Sequence, residues 1–182
     1  NADLFHHLVP VEHVARLFAA MIAAPQHEYQ LLTKRAARMS AMLQSEEFWQ
    51  LVSVRLGEIW RCPPPAPLRT VPEWIWVGVS VEDATWARRR IPPLRRTPAL
   101  TRWLSVEPLL DDGLDLTPHL DGIHWVVVGG ETGKTAKPVT VAAVRAVRDA
   151  CTAAGVALFF KQWGDWCPDP DHRPDDQSRH GG

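Results

Sequence analysis

Five apolar runs, each cut off by a small polar or charged cluster, constrain the fold of this chain more than any other feature. They are "EYQLLTKR", "EWIWVGVSVED", "LTRWLSVEPLL", "IHWVVVGGETG" and "VALFFKQWGDW", with centres near residues 31, 77, 104, 127 and 159. Near-continuous apolar character suits strands buried on both faces, the condition of a parallel sheet covered by helices. Parallel neighbours need a returning connection, and the centres lie roughly 25 to 45 residues apart, room for a full or short helix each time. The chain is therefore expected to be α/β, with right-handed crossovers giving an α/β barrel or a doubly wound sheet.

The segments between the runs fit that scheme. Val11, Val14, Leu17, Phe18, Met21 and Ile22 fall on one face of a helix over 11–24, and Pro25 marks its end. Residues 36–60 read as helical, and residues 84–90 as a short helix with Asp83 as N-cap. Residues 140–154 form a helix that Thr140 can cap and Gly155 can end. "CPPPAPLRTVP" can be neither helix nor central strand and reads as a surface loop. One domain is expected over 1–168, followed by a loose polar tail over 169–182.

The stretch "VVVGGETGKT" invites a nucleotide-loop reading, which its spacing denies. A phosphate-binding loop needs G-x-x-x-x-G-K-[ST], and with Gly133, Lys134 and Thr135 in place the first glycine would fall at Val128. The informative part is the strand end, Gly129, Gly130 and Glu131.

Bulk composition narrows the field. The 182 residues are 46% hydrophobic with a formal net charge of −1, which suits a domain with a sizeable core and gives no global pull towards nucleic acid or anionic lipid. No apolar run approaches the roughly 20 residues that span a bilayer, so no membrane role is expected. No signal peptide is visible and the first residue is not methionine, from which a fragment of a longer cytoplasmic protein is expected. Cys62, Cys151 and Cys167 are far apart and odd in number, against both a disulfide framework and a zinc site; Cys151, at helical spacing with Val144 and Val147, reads as core. His6, His7 and His13 lack a ligand spacing. Nine tryptophans read mainly as core, with a base-stacking surface as the lesser alternative. "RRRIPPLRR" brings Arg88, Arg89, Arg90, Arg95 and Arg96 together, either as phosphate contacts or, more plainly, as a solvated helix end followed by a loop.

In a parallel sheet all strand exits lie on one rim, where α/β proteins bind ligands. The exits deliver Thr33, Lys34 and Arg35; Ser80, Glu82 and Asp83; Ser105, Glu107 and Pro108; Gly129, Gly130, Glu131 and Thr132; and Lys161, Gln162 and Trp163. Any one of them reads first as a solvated strand end, and only the recurrence points to a site. Glu107, in a Pro108 turn, and Glu131, after two glycines that let a ligand or backbone come close, are the sharper acids. Glu107, Glu131 and Lys161 are the expected catalytic groups. Gly129, Gly130, Glu131, Ser80, Glu82 and Ser105 are the expected binding groups.

Seven ordered motifs, "DLFH", "LLTKR", "WVGVSVED", "RIPPL", "LSVEPLL", "WVVVGGETG" and "LFFKQWGDW", covering roughly residues 2 to 168, resemble the phage family called gp thirty-seven/gp sixty-eight, a domain of unknown function. The resemblance implies a radical-SAM-like partial parallel (β/α) barrel of TIM-barrel-like architecture. It also implies an N-terminal three-cysteine segment holding a [4Fe–4S] cluster. That segment is missing here, and Asn1, Ala2 and Asp3 correspond to the loop after the family's second strand. The fragment alone is then expected to bind no cluster, to be inactive and to leave a sheet edge exposed. By the same resemblance, Gly129, Gly130 and Glu131 lie where S-adenosylmethionine would be contacted. Two functions follow as expectations: an iron–sulfur enzyme acting on an unknown small molecule or nucleotide, or a non-catalytic phage or defence protein binding nucleic acid through the same rim.

Overall fold

The computed structural model describes residues 3–64, 66, 68–168 and 177–179, side chains of 168 and 177–179 aside. It is a mixed α/β structure. Five strands, β1 (Tyr29–Thr33), β2 (Ile75–Ser80), β3 (Arg102–Val106), β4 (Trp125–Gly129) and β5 (Ala157–Gln162), form one parallel sheet in the order β1-β2-β3-β4-β5. All five expected strands are present. The chain divides into two compact units, residues 1–79 with 92–102 and residues 80–91 with 103–182.

In the first unit, helix α1 (Val11–Ala23) buries Val14, Ala15, Phe18, Ala19, Met21 and Ile22. The stripe is shifted from the expected one: Leu17 is 40% exposed, and two alanines take its place against the core. The expected helix over 36–60 is two helices, α2 (Ala36–Gln44) and α3 (Glu46–Trp60). Ser45 breaks them apart, because its extended backbone frees the hydroxyl to accept from Phe48 N at 3.2 Å and cap α3. The Phe18 ring meets Phe48 and Trp49 edge-on at 5.4 and 6.0 Å, and this aromatic cluster locks α1 to α3. In the proline-rich connection, Pro65 and Pro67 lie outside the described residues.

The N-terminal segment is pinned to the exit of β1. Asp3 Oδ1 accepts from Thr33 Oγ1 at 2.6 Å and from Phe5 N at 3.0 Å, and Asp3 Oδ2 accepts from Lys34 N at 3.0 Å. Arg38 donates to the carbonyls of His6 and Val9. Sequence reading gave Asp3 no role.

In the second unit, Val126 and Val128 of β4 and Leu104 and Val106 of β3 are fully buried. Helix α5 (Val141–Ala154) starts where Thr140 Oγ1 accepts from Ala143 N at 3.1 Å and stops at left-handed Gly155, as the sequence suggested. It buries Ala143, Val147 and Cys151. Of the tail, Gln177–Arg179 forms a short strand β7 antiparallel to β6 (Trp166–Pro168); the expectation of a loose tail over 169–176 and 180–182 lies outside the described residues.

Helix α4 (Ala84–Arg96) overturns an expectation. Asp83 caps it as anticipated, accepting from Trp86 N at 2.9 Å, but it does not end near residue 90. It runs through Pro92 and Pro93, because Ala87, Arg90, Ile91 and Leu94 keep a helical spacing of buried positions across them. The prolines remove two N–H donors whose usual acceptors, the carbonyls of Arg88 and Arg89, belong to exposed residues and can be met by water. The "loop" half of the arginine-run reading is thereby replaced by helix.

No helix among the described residues is long and apolar enough to cross a membrane. Burial raises the Cys151 thiol from about 9 to about 11. Its neutral form therefore stabilises the fold fully below pH ~9, and this contribution is lost as pH rises towards 11. At about pH 8 a thiol reagent should label exposed Cys62 in the native chain and reach Cys151 only on unfolding. Rapid native labelling of Cys151, read by peptide mass, would contradict this packing.

Candidate functional site

The strand exits of the second unit carry nearly all the expected site residues, and they divide by what each side chain touches. Ser80 and Glu82, beyond β2, are buried. Arg90 Nη1 donates to the Ser80 carbonyl at 2.9 Å and to Glu82 Oε2 at 2.7 Å, and the guanidinium lies 3.9 Å over the Trp86 ring. Both charged side chains are more than nine-tenths buried. A closed ion pair of this kind is part of the interior. Its desolvation cost is offset by the two Nη1 hydrogen bonds and the aromatic face, while Arg90 Nε stays buried without a hydrogen-bond partner among the described residues. Arg90, which the sequence placed in a solvated run, is its buried member; Arg88, Arg89, Arg95 and Arg96 are exposed.

Glu131 turns inward on its own loop. Its Oε2 accepts from Lys137 N at 2.9 Å, and its carbonyl accepts from Asp165 N at 3.0 Å. Asp165 Oδ2 accepts from Gly133 N at 2.6 Å, and Trp166 Nε1 donates to Ala136 O at 2.8 Å. The loop after β4 is thus stitched to the turn after β5. Gly130 and Gly164 make this possible: a Cβ on Gly130 would stand 1.9 Å from Trp163 O, and one on Gly164 would stand 2.1 Å from Glu131 O. Two backbones meet where side chains cannot fit. Lys134 and Thr135 sit on this exposed loop, well before α5 begins at Val141, so they lack the helix N-terminus a phosphate loop needs.

Glu107 is different. Its carboxylate lies over Gly129, where a Cβ would come within 2.7 Å of Oε1. Lys161 Nζ is 3.2 Å from Oε1, and Ser105 Oγ is 3.4 Å from Oε2. The backbone explains how Lys161 reaches it. Val128 pairs with Phe160 but Gly129 pairs with Gln162, so Lys161 is the extra residue of a β-bulge, a device that redirects a side chain. The Glu107 side chain is 19% exposed and that of Lys161 53%, so the pair faces solvent and a ligand can reach it. With Lys161 more than half exposed, solvent screens the pair and holds its contribution to stability to about 1 kcal/mol.

The structure brings Ser105, Glu107, Gly129 and Lys161 together. Ser80 and Glu82 belong to the Arg90 cluster, and Gly130 and Glu131 to the interlocked turns. Sequence reading missed Arg90 as a buried partner and Gly164 as the mate of Gly130; the glycine two residues beyond Gln162 was the available signal. Among the described residues, no group of three or more His, Cys, Asp or Glu is placed to hold a metal ion. Cys151 is buried with its thiol held neutral, so it is a packing residue and not an available ligand. The space a Cβ would take is filled at Gly129 by the Glu107 side chain and at Gly130 by the Trp163 carbonyl.

The fold and this constellation define a mixed α/β protein with an ion pair of Glu107 and Lys161 that bridges β3 and β5 across the end of β4. The chain belongs to the family described as protein of unknown function (DUF5131), whose model matches residues 1–181. No curated protein and no solved structure matches it.

Two substitutions separate the interior groups from the exposed ones. Arg90→Met should cost about 3–5 kcal/mol in urea unfolding by removing the cation 2.7 Å from the buried Glu82 carboxylate, and a second change, Glu82→Gln, should recover part of it. Gly130→Ala should cost about 3 kcal/mol or more, because its Cβ meets backbone. Near-neutral values for both would mean that these groups are not structural.

Proposed function

We propose that this chain is the ligand-binding part of a (β/α)-barrel enzyme, with the site at the strand exits and Glu107 and Lys161 as its polar contacts. The carrying observation is the Glu107 carboxylate, kept over Gly129 and gripped by the bulged Lys161. A glycine, a bulge and an ion pair combine to present two opposite charges to solvent, an arrangement suited to a small polar ligand.

The barrel reading draws on the strand order, which rises from β1 to β5 without reversal. Right-handed crossovers that always step one strand onward carry their helices to one face, as in a barrel; a doubly wound sheet reverses its order at a switch point. The radical-SAM-like and phage affiliations rest on the resemblance of the seven motifs. They imply S-adenosylmethionine and a [4Fe–4S] cluster as cofactors of a longer protein. Nucleic acid held by the same rim has less behind it, because Lys161, the cation beside Glu107, is already matched by that carboxylate.

The direct test is a ligand screen by amide NMR with nucleosides, amino acids and sugar phosphates. Hits should shift residues 105–109, 129–131 and 161–164. Glu107→Gln and Lys161→Met should weaken them about tenfold or more while moving the melting temperature by no more than about 2 °C. Hits confined to other surfaces, or a collapse of stability in Glu107→Gln, would remove this site from consideration. For the iron–sulfur reading, a longer protein carrying three clustered cysteines upstream should turn brown on anaerobic reconstitution with iron and sulfide; a colourless product counts against it.

A further inference from the structure

Side chains alternate along a strand, so Trp103 and Ser105 share one face of β3, and Glu107, just past its end, lies on the same side with its Oε2 3.4 Å from Ser105 Oγ. The parallel register extends that face across the sheet. Trp103 lines up with Trp125 and Ala157, and Ser105 lines up with Val127 and Phe159. Gly129 comes next on β4, beneath the Glu107 carboxylate. On the opposite face Leu104, Val106, Val126 and Val128 are all fully buried. On this face Trp103, Ser105 and Val127 are buried as well, and the opening is at the edge strand β5, where Phe159 is 53% exposed and Ala157 beside it is exposed too. A single exposed aromatic residue on an edge strand carries nothing by itself. Here the ring lies on the same face as the one carboxylate that Gly129 and Lys161 hold in place. Strand spacings of about 4.8 Å and two residue rises of about 3.3 Å put the Phe159 Cα about 8 Å from the point over Gly129. Trp103, 6% exposed and on this face, has an Nε1 donor without a hydrogen-bond partner among the described residues.

We propose that this face takes a nucleoside: a flat heterocycle stacked on Phe159, with its ribose hydroxyls held by Glu107. The inference rests on the rim site proposed above and specifies its ligand class. Phe159 offers a ring with a fixed backbone, and stacking on such a ring is tolerant of which base is bound. Glu107 is an acceptor with Lys161 and Ser105 already set around it, and a carboxylate at a strand exit binding ribose hydroxyls is the chemistry that α/β dinucleotide sites use. The charges argue against phosphate at the same spot. A phosphate drawn to Lys161 would also face the Glu107 carboxylate, whose Oε1 is 3.2 Å from Lys161 Nζ. Uncharged hydroxyls suit the pair better.

The test is calorimetric titration of the whole chain with adenosine, ribose and adenosine 5′-monophosphate. Adenosine should bind at least about tenfold tighter than ribose. Phe159→Ala should weaken adenosine about tenfold, Phe159→Tyr should retain it, and Glu107→Gln should weaken adenosine and ribose alike. Equal binding of adenosine and ribose, unchanged in Phe159→Ala but lost in Glu107→Gln, overturns the nucleoside and leaves the rim site standing. Adenosine monophosphate binding more tightly than adenosine, and more tightly still in Glu107→Gln, overturns the assignment of Glu107 to ribose. Adenosine that does not bind at all overturns the nucleoside proposal outright; a hit at the rim from the amino acids or sugar phosphates would then keep the site without it.

Discussion

Burial of both faces of the central strands is the constraint on which the rest of the second unit depends. Val126 and Val128 on one face of β4 and Val127 on the other are nearly or wholly inaccessible, and so are Leu104, Val106 and Ser105 of β3. A strand in that position has no room for a charged side chain along its length. Its backbone polar groups are satisfied by the neighbouring strands, so chemistry can enter only where the strand stops. The polar clusters at the exits follow from this. Whether an exit becomes part of the interior, part of a loop or part of an open site depends on what lies opposite.

Three glutamates make the point. Glu82, Glu107 and Glu131 each stand at or just beyond a strand end, and nothing in their local sequence ranks them. Glu82 finds Arg90 two turns along α4 and is drawn inside with it. Glu131 finds a backbone N–H of its own loop and stabilises a turn. Glu107 finds Lys161, whose bulge keeps the pair at the surface. The partner's position, set by helix geometry in one case and by strand register in another, decides which carboxylate is drawn inside and which stays at the surface.

That dependence explains how much of the molecule was legible in the sequence. The five strands, the capped helix α5 and the core role of Cys151 were legible because each rests on local pattern: apolar continuity, a Thr140 cap, a Gly155 stop. The exposed Leu17 was not, since alanine and leucine positions on α1 compete for one groove and only packing chooses. The passage of α4 through Pro92 and Pro93 was not, because proline's cost is a local rule and burial of Ile91 and Leu94 on either side overrides it. At the site, Glu107 and Lys161 were each visible as strand-end charges. Their pairing was not, because it depends on one extra residue in β5, and a bulge leaves no mark in composition.

The glycines carry the same lesson in a sharper form. A strand that ends in two glycines is read most readily as a place where a ligand's phosphate or cofactor approaches the backbone, since that is one reason for removing side chains. Here both spaces are filled from within the chain. Gly129 makes room for the Glu107 carboxylate, and Gly130 makes room for the Trp163 carbonyl. The first vacancy holds a carboxylate that solvent reaches; the second serves the junction of two loops. Adjacent residues of one type, one strand end and one loop thus have different uses. The difference lies in whether side chain or backbone occupies the space, which is a property of the tertiary structure and of no motif.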